Sequence, residues 1–94
     1  MTLGEDAVII DVRTPAEYAE GHLQGARNID VSNPGFADAI AGLPSDGEYL
    51  VYCRSGNRSV QAALIMRDHG FTSVIDGGAL DSAAASTGLP IVTD

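Results

Sequence analysis

Val51-Tyr52-Cys53-Arg54-Ser55-Gly56-Asn57-Arg58-Ser59 is the stretch on which the reading of this 94-residue chain turns. An apolar, strand-like run ends at the only cysteine of the sequence, and a helix-like run over residues 59–69 follows. A thiol at such a junction lies where backbone N–H groups converge and the helix dipole is positive. Both favour a thiolate and any anion beside it. A lone cysteine is commonly a small buried hydrophobe. That use needs neither a loop free of apolar residues nor two arginines within five residues. Gly56 permits φ > 0 in a tight turn, and Ser55 and Asn57 are small and polar, so they crowd no ligand. Cys53 therefore reads as a nucleophile in an anion-binding cup.

Outward from the loop, strand and helix patterns alternate. Residues 7–12, AVIIDV, hold four β-branched residues and read as a buried parallel strand. Thr14-Pro15-Ala16-Glu17 is a helix start, with Thr as N-cap, Pro at N1 and Glu closing a capping box. That short helix ends near Glu20, with Gly21 as its cap. Residues 28–31 read as a second short strand. Asn33-Pro34-Gly35 opens a helix through Phe36, Ile40 and Leu43, and residues 44–47 form a turn. Residues 49–53 are the strand that carries the thiol. In the helix over residues 59–69, Val60, Ala63 and Leu64 share a face, with Ala62, Ile65 and Met66 beside it. This wide apolar arc predicts packing on a sheet. Residues 72–76 are a fourth strand, ended by Gly77-Gly78, and residues 80–85 a short terminal helix. The class is α/β with a parallel sheet. Ligands of such sheets bind beyond the carboxyl ends of the strands, where Cys53 and Asp11-Val12-Arg13 both lie.

Bulk properties narrow the function. A chain of this size builds a core without staples, and 45% of it is apolar. A single cysteine allows no internal disulfide. The net charge is −8, with five arginines and no lysine. That balance argues against nucleic acid and anionic membranes as partners. It also makes Arg54 and Arg58 look placed. No stretch reaches the length of a membrane span. Residues 1–6 lack the basic start and apolar run of a secretory signal. A cytoplasmic place is expected, or an extracytoplasmic one if a leader has been removed.

Taken together, these residues resemble the rhodanese family of sulfurtransferases in its small single-domain form, over most of the chain. Asp11-Val12-Arg13-Thr14-Pro15-Ala16-Glu17-Tyr18 is similar to the family's first signature. Gly21-His22-Leu23-Gln24-Gly25-Ala26-Arg27-Asn28-Ile29 is similar to its second, and residues 53–58 to its six-residue loop. Gly70-Phe71, Gly77-Gly78 and Gly88-Leu89-Pro90 follow in order. The resemblance implies one rhodanese-like domain over residues 1–94, with a four-stranded parallel sheet flanked by helices. The family's usual strand and helix before Asp11 are not accommodated in ten residues. The Trp often found after the Gly-Gly pair is Leu80-Asp81-Ser82 here.

The implied chemistry is sulfane sulfur transfer. Cys53 would take the outer sulfur of thiosulfate or polysulfide and pass it, as a persulfide, to cyanide or a thiol. Backbone N–H groups of Arg54, Ser55, Gly56, Asn57, Arg58 and Ser59 would cradle that sulfur. Arg58 would close the loop and, with Arg54, draw in the anion. Asp11 would support the loop by receiving its N–H groups or Arg58. Arg13 would either line the pocket mouth or pair with Glu17. His22 is expected to bond backbone, and Tyr18 and Tyr52 to pack. No metal and no cofactor is expected. Other readings remain: a sulfur carrier loaded by a protein persulfide, or a non-enzymatic interaction domain. Phosphatase or arsenate reductase chemistry uses Cys, five residues, then Arg. Four residues separate Cys53 from Arg58, which makes a narrower cup. The spatial strand order expected is 72–76, 49–53, 7–12, 28–31.

Overall fold

The computed structural model describes residues 6–93. Residues 1–5 of the stretch read for a secretory signal lie outside them. In chain order the elements are β1 (Val8–Asp11), α1 (Pro15–Glu20), β2 (His22–Leu23), β3 (Arg27–Asn28), α2 (Phe36–Ala41), β4 (Glu48–Cys53), α3 (Asn57–Asp68), β5 (Ser73–Ala79), α4 (Leu80–Thr87) and β6 (Ile91–Val92). β3, β1, β4 and β5 lie side by side in that order, all parallel. The class and the strand order are those expected. From β1 the chain goes to the edge strand β3, then crosses back to β4. That reversal puts a switch point between β1 and β4, where a crevice opens at the carboxyl ends of the strands.

Strand alternation sorts the core into two layers. Ile10, Val12, Tyr49, Val51 and Cys53 pack with Phe36, Ile40, Ala62, Ala63 and Met66. Ile9, Leu50 and Tyr52 pack on the other side with Leu23, Ala26 and Ala83. The sheet is therefore covered by α2 and α3 on one face, and by α4 and the β2 region on the other. Ile10, Leu50 and Val51 have no exposed surface. Burying one such side chain is worth about 1.5–3 kcal/mol, more than the roughly 1 kcal/mol spanned by strand propensities. Packing on both faces, not local preference, holds β1 and β4. Tyr49 meets Phe71 edge-on at 5.3 Å, and its hydroxyl donates to Pro44 O.

Local starts follow the sequence where capping chemistry is explicit. Thr14 Oγ1 accepts from Glu17 N at 3.3 Å, and Glu17 Oε1 accepts from Thr14 N at 3.2 Å. Elsewhere the boundaries move. α3 starts two residues before Ser59, because Gly56 takes φ 100° and turns the chain straight into the helix. The stretch over 28–31 pairs regularly only at Arg27–Asn28, although Ile29 N and Val31 N still donate to Asp11 O and Val12 O. The β2–β6 antiparallel pair has no counterpart in the expected elements. On α3, Val60 and Leu64 are about half exposed, and the buried face is Ser59, Ala62, Ala63 and Met66. Small alanines let α3 lie close to the sheet, and the larger side chains turn outward.

β5 continues past the expected end at Asp76 to Ala79. Register runs Val51↔Asp76 and then Cys53↔Ala79, so Gly77 and Gly78 together face Tyr52. This is a β-bulge. A Cβ on Gly77 would sit 2.7 Å from Leu50 Cδ2 and 3.1 Å from Val51 O. Gly77→Ala is expected to lower stability by about 1–3 kcal/mol through overpacking. Thermal melting should show a fall of about 4–8 °C per kcal/mol. An unchanged melting temperature would contradict the close approach.

Candidate active site

Cys53 ends β4 and is fully buried on the α3 side of the sheet. Its sulfur lies inside the turn that Gly56 makes. Gly56 N–H donates to Sγ at 2.9 Å. Ser59 Oγ lies 3.6 Å from the Cys53 sulfur and 3.0 Å from Gly56 O, within reach of either. Because α3 begins at Asn57, the second half of the expected loop is the helix's first turn. Its N–H groups have no partner within the helix, and that of Ser59 joins those of Gly56 and Ser55 at the sulfur. Burial pushes the Cys53 thiol up. The N–H groups of Ser59, Gly56 and Ser55, with the Ser59 hydroxyl, outweigh it, and the net pKa lies below the ordinary thiol value. The geometry therefore favours a thiolate without a neighbouring general base.

The loop residues divide by surroundings. Arg54, Ser55 and Asn57 are exposed, Gly56 and Arg58 are partly covered, and Ser59 is buried. Arg58 does not point free toward an anion. Its Nη1 and Nη2 donate to Glu17 Oε1 and Oε2 at 2.6 and 2.9 Å. The same Oε1 accepts from the Thr14 backbone and hydroxyl. Glu17 thus ties the first turn of α1 to the first turn of α3 across the end of the sheet. Arg58 above all holds the Glu17 carboxyl down, at about 2. Glu17 was expected only as a cap or as a partner of Arg13. Its true partner lies 41 residues away, beyond the reach of helix spacing.

The expectation for Asp11 is corrected, and of the two alternatives for Arg13 the structure takes the pocket mouth and not the pair with Glu17. Asp11 receives neither a loop N–H nor Arg58. Its carboxylate accepts from Arg13 N, Nε and Nη2, the last at 2.6 Å, and from the Tyr52 hydroxyl at 2.9 Å. Tyr52 is not merely packed, because its hydroxyl also accepts from Leu23 N at 3.0 Å. Arg13 does not pair with Glu17. Its Nη2 donates to Gly21 O at 2.6 Å, and its guanidinium lies 5.8 Å from the Tyr52 ring centre. Asp11 stands in register with Tyr52, so this network occupies the face opposite Cys53. It braces β1, β4 and β2 from behind. His22 does bond backbone: its Nδ1–H donates to Tyr18 O at 2.8 Å while the ring stacks on Tyr18. Among the described residues no group of three or more His, Cys, Asp or Glu is placed to hold a metal.

A cleft of about 490 Å³ opens beside the loop. Arg13, Glu17, Glu20 and Gly21 contribute from the first half of the chain, and Arg54, Leu80, Asp81 and Ile91 from the second. Only Arg13 and Arg54 among these were expected at a mouth. Glu20, Leu80, Asp81 and Ile91 carry no motif and meet only in the fold. A smaller cavity of about 280 Å³ lies between Pro15, Asn28 and Phe36; Cys53, being fully buried, lines neither space.

The Glu17–Arg58 pair has a pH signature. With its carboxyl pulled down to about 2, Glu17 adds stability above its ordinary value near 4.5, lost as the pH falls toward 2. Glu17→Gln should lower stability at pH 7 by about 1–2 kcal/mol, allowing for partial exposure. Denaturant melts of both proteins should converge between pH 4.5 and 2. A difference that persists unchanged at pH 2 would contradict the ion pair.

Comparison with known proteins matches this arrangement. The thiosulfate sulfurtransferase GlpE of Pseudomonas entomophila (strain L48) is 43% identical over 76 residues, which cover 79% of this chain and 68% of the relative. A sulfurtransferase of Allochromatium vinosum is 37% identical over 90 residues, covering 94% of this chain and 80% of that one. Among solved structures, a rhodanese with anions from E. coli superposes with a TM-score of 0.78 at 34% identity, covering 94% of this chain and 99% of that one. A family model described as the rhodanese-like domain matches residues 2–83. That span takes in β1, β4, the cysteine turn and the bulged β5, and this chain belongs to the rhodanese-like domain family.

Proposed function

We propose that this rhodanese-like transferase moves sulfane sulfur from thiosulfate or polysulfide to cyanide or a thiol, through a persulfide on Cys53. The observation that carries the proposal is the contact at 2.9 Å between Gly56 N–H and Cys53 Sγ, at the start of α3. The Cys53 thiolate attacks the outer sulfur of the donor. The donor's S–S bond breaks, and sulfite leaves with the bonding pair when thiosulfate is the donor. The outer sulfur, now bound to Sγ, carries the charge and takes the N–H groups of the first turn of α3. In the second half an acceptor thiolate or cyanide attacks that outer sulfur, and Cys53 leaves as a thiolate. No electron is gained or lost overall, and the cycle needs no base beyond the cup itself. Arg54, exposed beside the cleft, provides a charge for the incoming anion.

Two features favour sulfur over phosphoryl transfer. Only four residues lie between Cys53 and Arg58, which leaves a cup for one large atom rather than a tetrahedral group. The guanidinium that would clamp equatorial oxygens is engaged by Glu17. The names of the relatives support a sulfurtransferase in general.

Cys53→Ser is expected to abolish thiocyanate formation from thiosulfate and cyanide, with a melting temperature close to that of the parent, because the swap is nearly isosteric. Turnover by the folded variant would overturn the assignment of the nucleophile.

A further inference from the structure

Charge at the mouth of the site does not match simple capture of a dianion. Three arginines lie in the cysteine turn or in the cleft beside it: Arg58 in the turn, Arg13 in the cleft and Arg54 in both. Arg13 is taken by Asp11 and Arg58 by Glu17. Among the described residues Arg54 alone of the three has no ion-pair partner. Against it, Glu20 and Asp81 line the same cleft, and the charge of Asp30 also acts on Arg58. The Glu17 carboxylate engages Arg58 with both oxygens, at 2.6 and 2.9 Å, and is fixed there by the Thr14 cap. A dianionic donor reaching for Arg58 must displace a carboxylate that its own helix holds in place. A donor of lower charge loses less by leaving that pair intact.

We propose that Glu17 is a specificity-determining residue: by occupying Arg58 it weakens capture of dianionic sulfur donors. It thereby tilts the site toward donors of lower charge, such as alkyl persulfides, singly charged polysulfides and thiosulfonates. This rests on the sulfur-transfer reading and deepens it. In both donor classes the same bond breaks. Thiosulfate releases sulfite, and an alkyl thiosulfonate releases a singly charged sulfinate, each leaving with the S–S bonding pair.

The test compares thiosulfate with methanethiosulfonate, a monoanion, as donors to cyanide at fixed pH and ionic strength. Glu17→Gln should raise the ratio of kcat/KM for the dianion to that for the monoanion by about tenfold, the size of one charge-assisted hydrogen bond regained. The change should lie in KM for thiosulfate rather than in kcat. The ratio is internal to each protein, so partial loss of fold in the variant does not obscure it. An unchanged or lowered ratio overturns the proposal. If neither donor turns over, the sulfur-transfer reading falls separately. A titration with sulfate, followed at the backbone amides of residues 56–59, then decides the present point. Tighter sulfate binding by the Glu17→Gln protein supports it, and equal or weaker binding overturns it.

Discussion

Everything at this site depends on one backbone angle. Gly56 adopts φ 100°, a conformation that L side chains rarely take. It lets the chain leave β4 at Cys53 and enter α3 at Asn57, with only three residues between. The N–H of Ser59, in a first turn whose N–H groups have no partner within the helix, is thereby set at the sulfur beside those of Ser55 and Gly56. A wider turn would leave them to water and leave the thiol as a buried apolar group with a raised pKa. The opposing effects on Cys53 come from the same turn: burial disfavours the thiolate, and the donors that the burial brings together favour it more.

The sheet divides the labour by face. The α3 side carries Cys53. The opposite side carries Asp11, Arg13 and Tyr52, a charged cluster almost without solvent contact. No buried side-chain nitrogen or oxygen among the described residues lacks a hydrogen-bond partner. That completeness is what makes a buried charge pair tolerable. Removing one member of such a pair is expected to cost about 3–5 kcal/mol, because the other charge is left alone in a poor solvent. The cluster connects β1, β4 and β2 behind the cysteine. The bulge at Gly77-Gly78 lets β5 follow β4 to Cys53 while passing close over Leu50. Glu17 and Arg58 then close the front, joining the two helix starts that face the crevice.

Much of this was legible in residue order. β-branched runs marked the central strands, the Thr14–Glu17 box marked α1, and the cysteine at a strand end marked the crevice. The requirement that Cys53 lie near Asp11 made β1 and β4 neighbours, and the family resemblance supplied the rest of the strand order. Other features had no local signal. A two-residue pairing such as β2 with β6 is too short to show alternation. The Gly77-Gly78 pair looks like a turn, and only the neighbouring Leu50 explains why it is a bulge. Partner choice among charges was the least readable. Arg13 has a carboxylate two residues before it and another four residues after it, and helix spacing favours the second. Tertiary geometry gives it the first and sends Glu17 to Arg58. The apolar arc of α3 misled for a related reason: Val60 and Leu64 fit the period, but the small residues beside them set the distance to the sheet.

The central claim is that Cys53 takes up a single sulfur atom in a cup of backbone donors. Intact mass measurement after incubation with thiosulfate tests it most directly. A gain of about 32 Da that dithiothreitol reverses, and that Cys53→Ser lacks, is the result expected of a persulfide intermediate. No gain, or the same gain on the Cys53→Ser protein, would contradict the account.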